Sequence, residues 1–211
     1  MSEELGRITR PEAGQFRGER KLYLVPLLFA GEKSPPEYVE RFELYWQQVE
    51  EQLSTQEQKI GRISHVYHES VALGGEEGLK LLEKLSPPSY RIVRDRCDRG
   101  AALEFAEEAE IADECLDWER CLMLGFLSRA VAEKVAGYYR EAVKKRWEQM
   151  ARRIDETLGE NEVAVLFIRE GHAVQFPGDI QVFSVAPPAL DAVHRWLRER
   201  SSRPEPEQDY E

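Results

Sequence analysis

Cysteine is scarce. The three present, Cys97, Cys115 and Cys121, are an odd number and form no Cys-x-x-Cys pair, which excludes a disulfide framework and a zinc knuckle and suits a reducing compartment. Long apolar runs are missing too. None approaches the roughly 20 residues of a membrane helix, and the N-terminus is too polar for the apolar segment of a signal peptide. There is no Gly-x-Gly-x-x-Gly, no phosphate loop and no nucleophile elbow, so nucleotide binding by those routes is not expected. Basic residues fall short as well, with 29 Lys and Arg against 40 Asp and Glu, a formal net charge of -11. That balance opposes attraction to nucleic acid or anionic lipid. The expectation is a cytoplasmic protein without nucleic-acid or membrane partners.

What is present is the patterning of an α/β domain. Residues 1–20 and 201–211 mix charge, Gly and Pro without periodicity and read as flexible tails. From Lys21 an uninterrupted apolar run, Leu22 to Phe29, predicts a strand buried on both faces, although Pro26 cannot donate to a sheet ladder. Ser34-Pro-Pro-Glu37 opens a helix, which runs to about Leu53 with Tyr38, Phe42, Tyr45, Trp46 and Val49 at helical spacing. A second strand is expected over 62–70, where a period of two puts His65, Tyr67 and Glu69 on one side and His68 on the other. Short helices follow over 76–85 and 89–98, then a brief strand over 101–106.

Residues 109–158 form a long helical segment with its break between Gly125 and Ser128. Its second half carries a broad apolar face containing Val143, Trp147, Met150 and Ile154. At about 100° per residue, Arg146 and Arg153 lie within that stripe and require carboxylates, carbonyls or a ligand, because an unpaired buried guanidinium is costly. Strands over 163–168 and 180–185 and a helix over 189–200 complete the order β-α-β-α-α-β-α-α-β-β-α. The fold class is therefore α/β: a small, mostly parallel sheet with flanking helices and a long helical insertion, in a single domain spanning 21–200.

Ligands of α/β proteins bind beyond the carboxyl ends of parallel strands. Acids and histidines collect there: Glu32 after the first strand, His68 and Glu69 at the end of the second, Glu107 and Glu108 after the third, and Glu170-Gly171-His172 after the fourth. Histidine with carboxylates can ligate a divalent metal or act as an acid/base pair. Solvated polar residues at strand ends, and helix-to-strand salt bridges for the two arginines, are the structural alternative. His65 reads as a satisfied sheet histidine, His194 as a surface residue, and the cysteines as inert.

The segment Arg146-Trp-Glu-Gln-Met-Ala-Arg-Arg-Ile154, a short loop and Val165-Leu-Phe-Ile-Arg-Glu-Gly-His172 resemble the C-terminal part of the TraB, Tiki and ChaN-like superfamily, to which erythromycin esterases are related. Those proteins carry an Arg-Asn helix motif and a strand ending in Gly-x-x-His. The resemblance implies a metal-dependent hydrolase site in which Glu69, Arg146 and His172 are catalytic and Glu69 and His172 hold a divalent metal; Glu170, beside His172, is expected to join them as a catalytic residue that assists proton transfer. Three positions depart from the pattern. Leu28-Phe29-Ala30-Gly31 replaces the first Gly-x-x-His, Arg169 replaces the motif glycine of the second, and Trp147 stands where Asn is usual. Two functions follow as expectations. One is a divergent hydrolase-like site acting on a small molecule or peptide. The other is a noncatalytic interaction module, with the helical segment as a partner surface or homodimer face.

Overall fold

The computed structural model describes residues 19–201, so most of both expected tails lies outside the described residues. Five strands form one parallel sheet in the order β3-β2-β4-β1-β5. They are β1 (Arg20–Pro26), β2 (His65–His68), β3 (Ala102–Glu104), β4 (Val163–Ile168) and β5 (Ile180–Ser184). The helices are α1 (Pro36–Ile60), α2 (Gly75–Leu85), α3 (Pro87–Asp98), α4 (Ala109–Leu124), α5 (Arg129–Thr157) and α6 (Pro188–Ser201). The mostly parallel sheet expected from sequence is wholly parallel.

β4 occupies the centre because its residues are apolar on both sides of the pleat, and all six are buried. Val163, Val165 and Phe167 face the core beneath α1, α3 and α6, whereas Ala164, Leu166 and Ile168 face Trp147, Met150 and Ile154 of α5. The sheet is thus covered on both faces, as parallel sheets require. Pro26 is accommodated at the last position of β1, opposite Ile168, where the ladder is passed on by Leu27 N–H donating to the Ile168 carbonyl.

α1 runs seven residues past the expected end at Leu53, and Ser34 does not cap its N-terminus; the flanking residue there is Pro35. The Ser34 hydroxyl instead accepts from the Gly31 backbone, closing the turn before the helix. The helical segment divides where glycine and serine suggested, with Gly125 in the left-handed region after α4. α4 and the first half of α5 pack chiefly on each other, and no residue over 116–141 is buried. The pair projects from the sheet as an arm.

Candidate functional site

Two neighbouring assemblies occupy the carboxyl edge of the sheet. The first is a cluster of four ionisable groups, in which Glu69, Glu107 and Arg146 are buried and Arg169 reaches the surface. The apolar stripe of α5 carries Arg146 to the sheet, and its Nε and Nη2 each donate to Glu107 across 2.9 Å. Nη2 also donates to Glu69 Oε1 across 3.0 Å. Arg169 completes the cluster: its backbone N–H donates to Glu69 Oε2 at 2.6 Å, and its guanidinium pairs with the same carboxylate. Two acids thus face two guanidiniums, so that each buried carboxyl has a partner of opposite charge. Burial pushes the Glu107 carboxyl up to about 7, against the attraction of Arg146, while Glu69 raises it further. The Arg146 guanidinium is held above its ordinary value by Glu107 and Glu69, although burial alone would lower it.

The second assembly is a cleft of about 200 Å³ lined by Leu24, Pro26, Arg169, Glu170, His172 and Ser184, among others. Gly171 adopts φ +76° after β4, a conformation costly for residues with a Cβ, and turns the chain so that His172 returns to the sheet edge. The imidazole stands edge-on to Trp147 and Phe176, with ring centroids 6.5 and 6.4 Å away. Its Nδ1 is buried without a hydrogen-bond partner among the described residues. Burial lowers the His172 pKa, partly offset by the negative charge of Glu69, and so favours the neutral ring. Behind Trp147 lies a wider groove of about 630 Å³, lined by Tyr139, Arg140, Val143, Lys144 and Ala173 among others. Trp147 and Ala173 connect that groove to His172.

The four residues singled out in the sequence therefore fall into two pairs. Glu69 and Arg146 are in direct contact within the buried cluster, and Glu170 and His172 line the cleft. Glu170 accepts from the ring N–H of His194 in α6, with Oε2 and Nε2 2.8 Å apart. Sequence reasoning named Glu107 among the acids at the strand ends without giving it a role, and passed over Arg169 and His194 as site residues. Glu107 had a signal, since it follows a predicted strand on the edge that already held Glu69. His194 had none, because its partner is remote in sequence.

The other expected placements are clear. His65 shares a face with Tyr67 and lies 3.0 Å from Glu162. His68 turns to the opposite core, fully buried, stacked on Phe167 and bonded to Ser89. Arg153 covers the Phe105 ring and pairs with Glu104, remote from the cleft residues. Glu32 and Glu108 are exposed.

The donor set as arranged does not fit a divalent cation. Both Glu69 oxygens already accept from Arg146 or Arg169, so an ion there would enter against two guanidiniums. Among the described residues no group of three or more His, Cys, Asp or Glu is placed to hold a metal ion. In the same residues no helix is long and apolar enough to cross a membrane. The chain matches no protein-family model, no curated protein and no solved structure.

Proposed function

We propose that this chain is a divergent hydrolase-like protein whose cleft takes the anionic end of a small ester, amide or peptide. His172 serves as the general base. The observation that carries the reading is the His172 ring itself: held between two aromatic side chains, with a buried and unpartnered Nδ1, in the lining of a cleft. With the proton on the buried Nδ1, Nε2 offers its lone pair to a water molecule. Arg169, whose side chain is 45% exposed, supplies positive charge at the same cleft. The groove behind Trp147, with Arg140 and Lys144 on its wall, accommodates the remainder of a longer substrate.

In this arrangement Glu69 and Arg146 position Arg169 and α5 rather than touch substrate, and Glu170 is oriented by His194 on the cleft rim. No step passes through a metal. The resemblance of residues 146–172 to the TraB, Tiki and ChaN-like superfamily supports the hydrolytic class. The closure of Glu69 and Arg146 into internal ion pairs favours the second reading, a noncatalytic module that binds a small anion in the same cleft.

The test is hydrolysis of ester and peptide panels by the full chain and by His172→Ala, with metal analysis of protein purified without chelator. Removal of a general base lowers turnover by about 10²-fold or more. Equal rates for the two proteins overturn the catalytic role, and stoichiometric metal overturns the metal-free mechanism. Anion binding that weakens in Arg169→Met without any hydrolysis establishes the second reading.

A further inference from the structure

The arm formed by α4 and the first half of α5 is not used by the cleft or by the buried cluster. It exposes large apolar side chains where a monomer has no use for them: Leu124 is 85% exposed and Met123 75% exposed. Leu127 at the turn is fully exposed, and Leu116, Val131 and Tyr138 are 42%, 46% and 50% exposed. Leu116 and Met123 are seven apart on α4, as are Val131 and Tyr138 on α5, which aligns each pair along one side of its helix. The apolar positions therefore run down the arm and are not confined to the tip. Leu116 lies about 12 Å below Leu124 along the helix, too far to share a membrane insertion by the tip and placed among acids. The pattern fits a lateral partner.

Charge identifies that partner. α4 carries five acids and one arginine, whereas residues 129–145 of α5 carry five bases and two acids. Within one arm the two helices already attract each other, as the Lys145 to Glu114 pair at 3.5 Å shows. A second arm, placed parallel to the first about a two-fold axis along the helices, sets each acidic α4 beside the basic α5 of its neighbour. Like-charged helices are then diagonal. We infer that two copies of this chain associate through their arms as a four-helix bundle, with Leu116, Met123 and Leu124 supplying apolar contacts and the tips side by side, while Tyr138 stays stacked on Trp118 within each arm. This inference does not depend on the chemistry at His172, although Arg140 and Lys144 also stand on the wall of the groove behind Trp147.

Sedimentation equilibrium and light scattering on the full chain at neutral pH test it. The expected mass is twice 24.4 kDa. Leu124→Glu combined with Met123→Glu weakens association by about tenfold or more, with the far-ultraviolet circular dichroism unchanged because both side chains are exposed. Lys134→Glu weakens association at low salt. Because the tips adjoin, oxidised Ser128→Cys forms a cross-linked dimer that the unaltered chain, carrying Cys97, Cys115 and Cys121, does not form under the same oxidation. A monomer at high micromolar concentration, a dimer indifferent to the paired glutamates, or a dimer without the Ser128→Cys cross-link overturns the inference. A monomer that co-sediments with neutral phosphatidylcholine vesicles overturns it in favour of a membrane-seeking tip.

Discussion

Glu170 and His194 meet across 2.8 Å, Oε2 to Nε2, and so tie the turn after β4 to helix α6. Both side chains are partly exposed, 45% and 30% respectively, so the pair contributes little to stability and instead directs the carboxylate. His194→Ala is expected to cost no more than about 1 kcal/mol in urea unfolding. The same substitution leaves the Glu170 charge without its imidazole on the cleft rim. Anionic probes should bind more weakly, as read by isothermal titration.

The buried cluster behaves in the opposite way. Arg146→Met leaves Glu69 and Glu107 buried with one guanidinium fewer, and destabilisation of about 3–5 kcal/mol is expected from denaturant titration. Adding Glu69→Gln and Glu107→Gln to Arg146→Met removes the stranded charges and should recover part of that loss. A triple variant no more stable than Arg146→Met would show that the penalty comes from packing, including the stacking of Arg146 on Trp147.

Stability should respond to acid in two opposed ways. His68, fully buried, has its pKa lowered from 6.5 to about 3. Its contribution is therefore intact above 6.5 and declines as pH falls toward 3, because the unfolded chain takes up the proton first. His172, also lowered by burial, has the same sign. Glu107, raised from 4.5 to about 7, acts in reverse: its contribution is complete below 4.5 and is lost as pH rises through 7. Thermal melts of Glu107→Gln should thus show an unmasked acid decline between 6.5 and 4.5, and His68→Gln should flatten it. If His172 is the base, the rate of any hydrolysis rises with pH along a limb whose midpoint lies below 6.5.

Two helical glycines separate strain from propensity. A Cβ on Gly78 would stand 2.3 Å from the Leu73 carbonyl oxygen, a backbone atom that cannot swing aside. Gly78→Ala should therefore destabilise by about 1–3 kcal/mol, as overpacking does. At Gly137 a Cβ meets only the end of the Arg140 side chain at 4.0 Å. There Gly137→Ala should stabilise by about 0.5–1 kcal/mol. Urea midpoints of the two variants should move in opposite directions.

The elements were legible where pattern and punctuation agreed. β4 is six apolar residues between Glu162 and Arg169, and its observed limits are those expected. Gly125 and Ser128 divided the helical segment for the same reason. Strand order was not legible, because nothing local in β4 specifies that it separates β1 from β2. In the site, the helical stripe announced that Arg146 needed acids, and the strand periodicity put Glu69 and Tyr67 on one side of β2. The assignment of Glu107 as the principal partner depended on how the loop before α4 runs, which periodicity does not describe. The link between Glu170 and His194 depended on the docking of α6.

The central position of β4 also has a consequence for how the chain reaches its fold. Among the described residues β1 pairs only with β4 and β5, and β2 only with β3 and β4, so Lys21 waits for Val163 and His65 for Ala164. During synthesis the first two strands have no ladder between them until the last quarter of the chain emerges. Their exposed edges must remain unpaired over that interval. Such long-range closure makes folding slow and leaves nascent chains open to aggregation or chaperone capture. A ribosome stall before residue 163 would accordingly release a polypeptide with most of its helices encoded and, of the sheet, no more than the short β2–β3 ladder on which to assemble them.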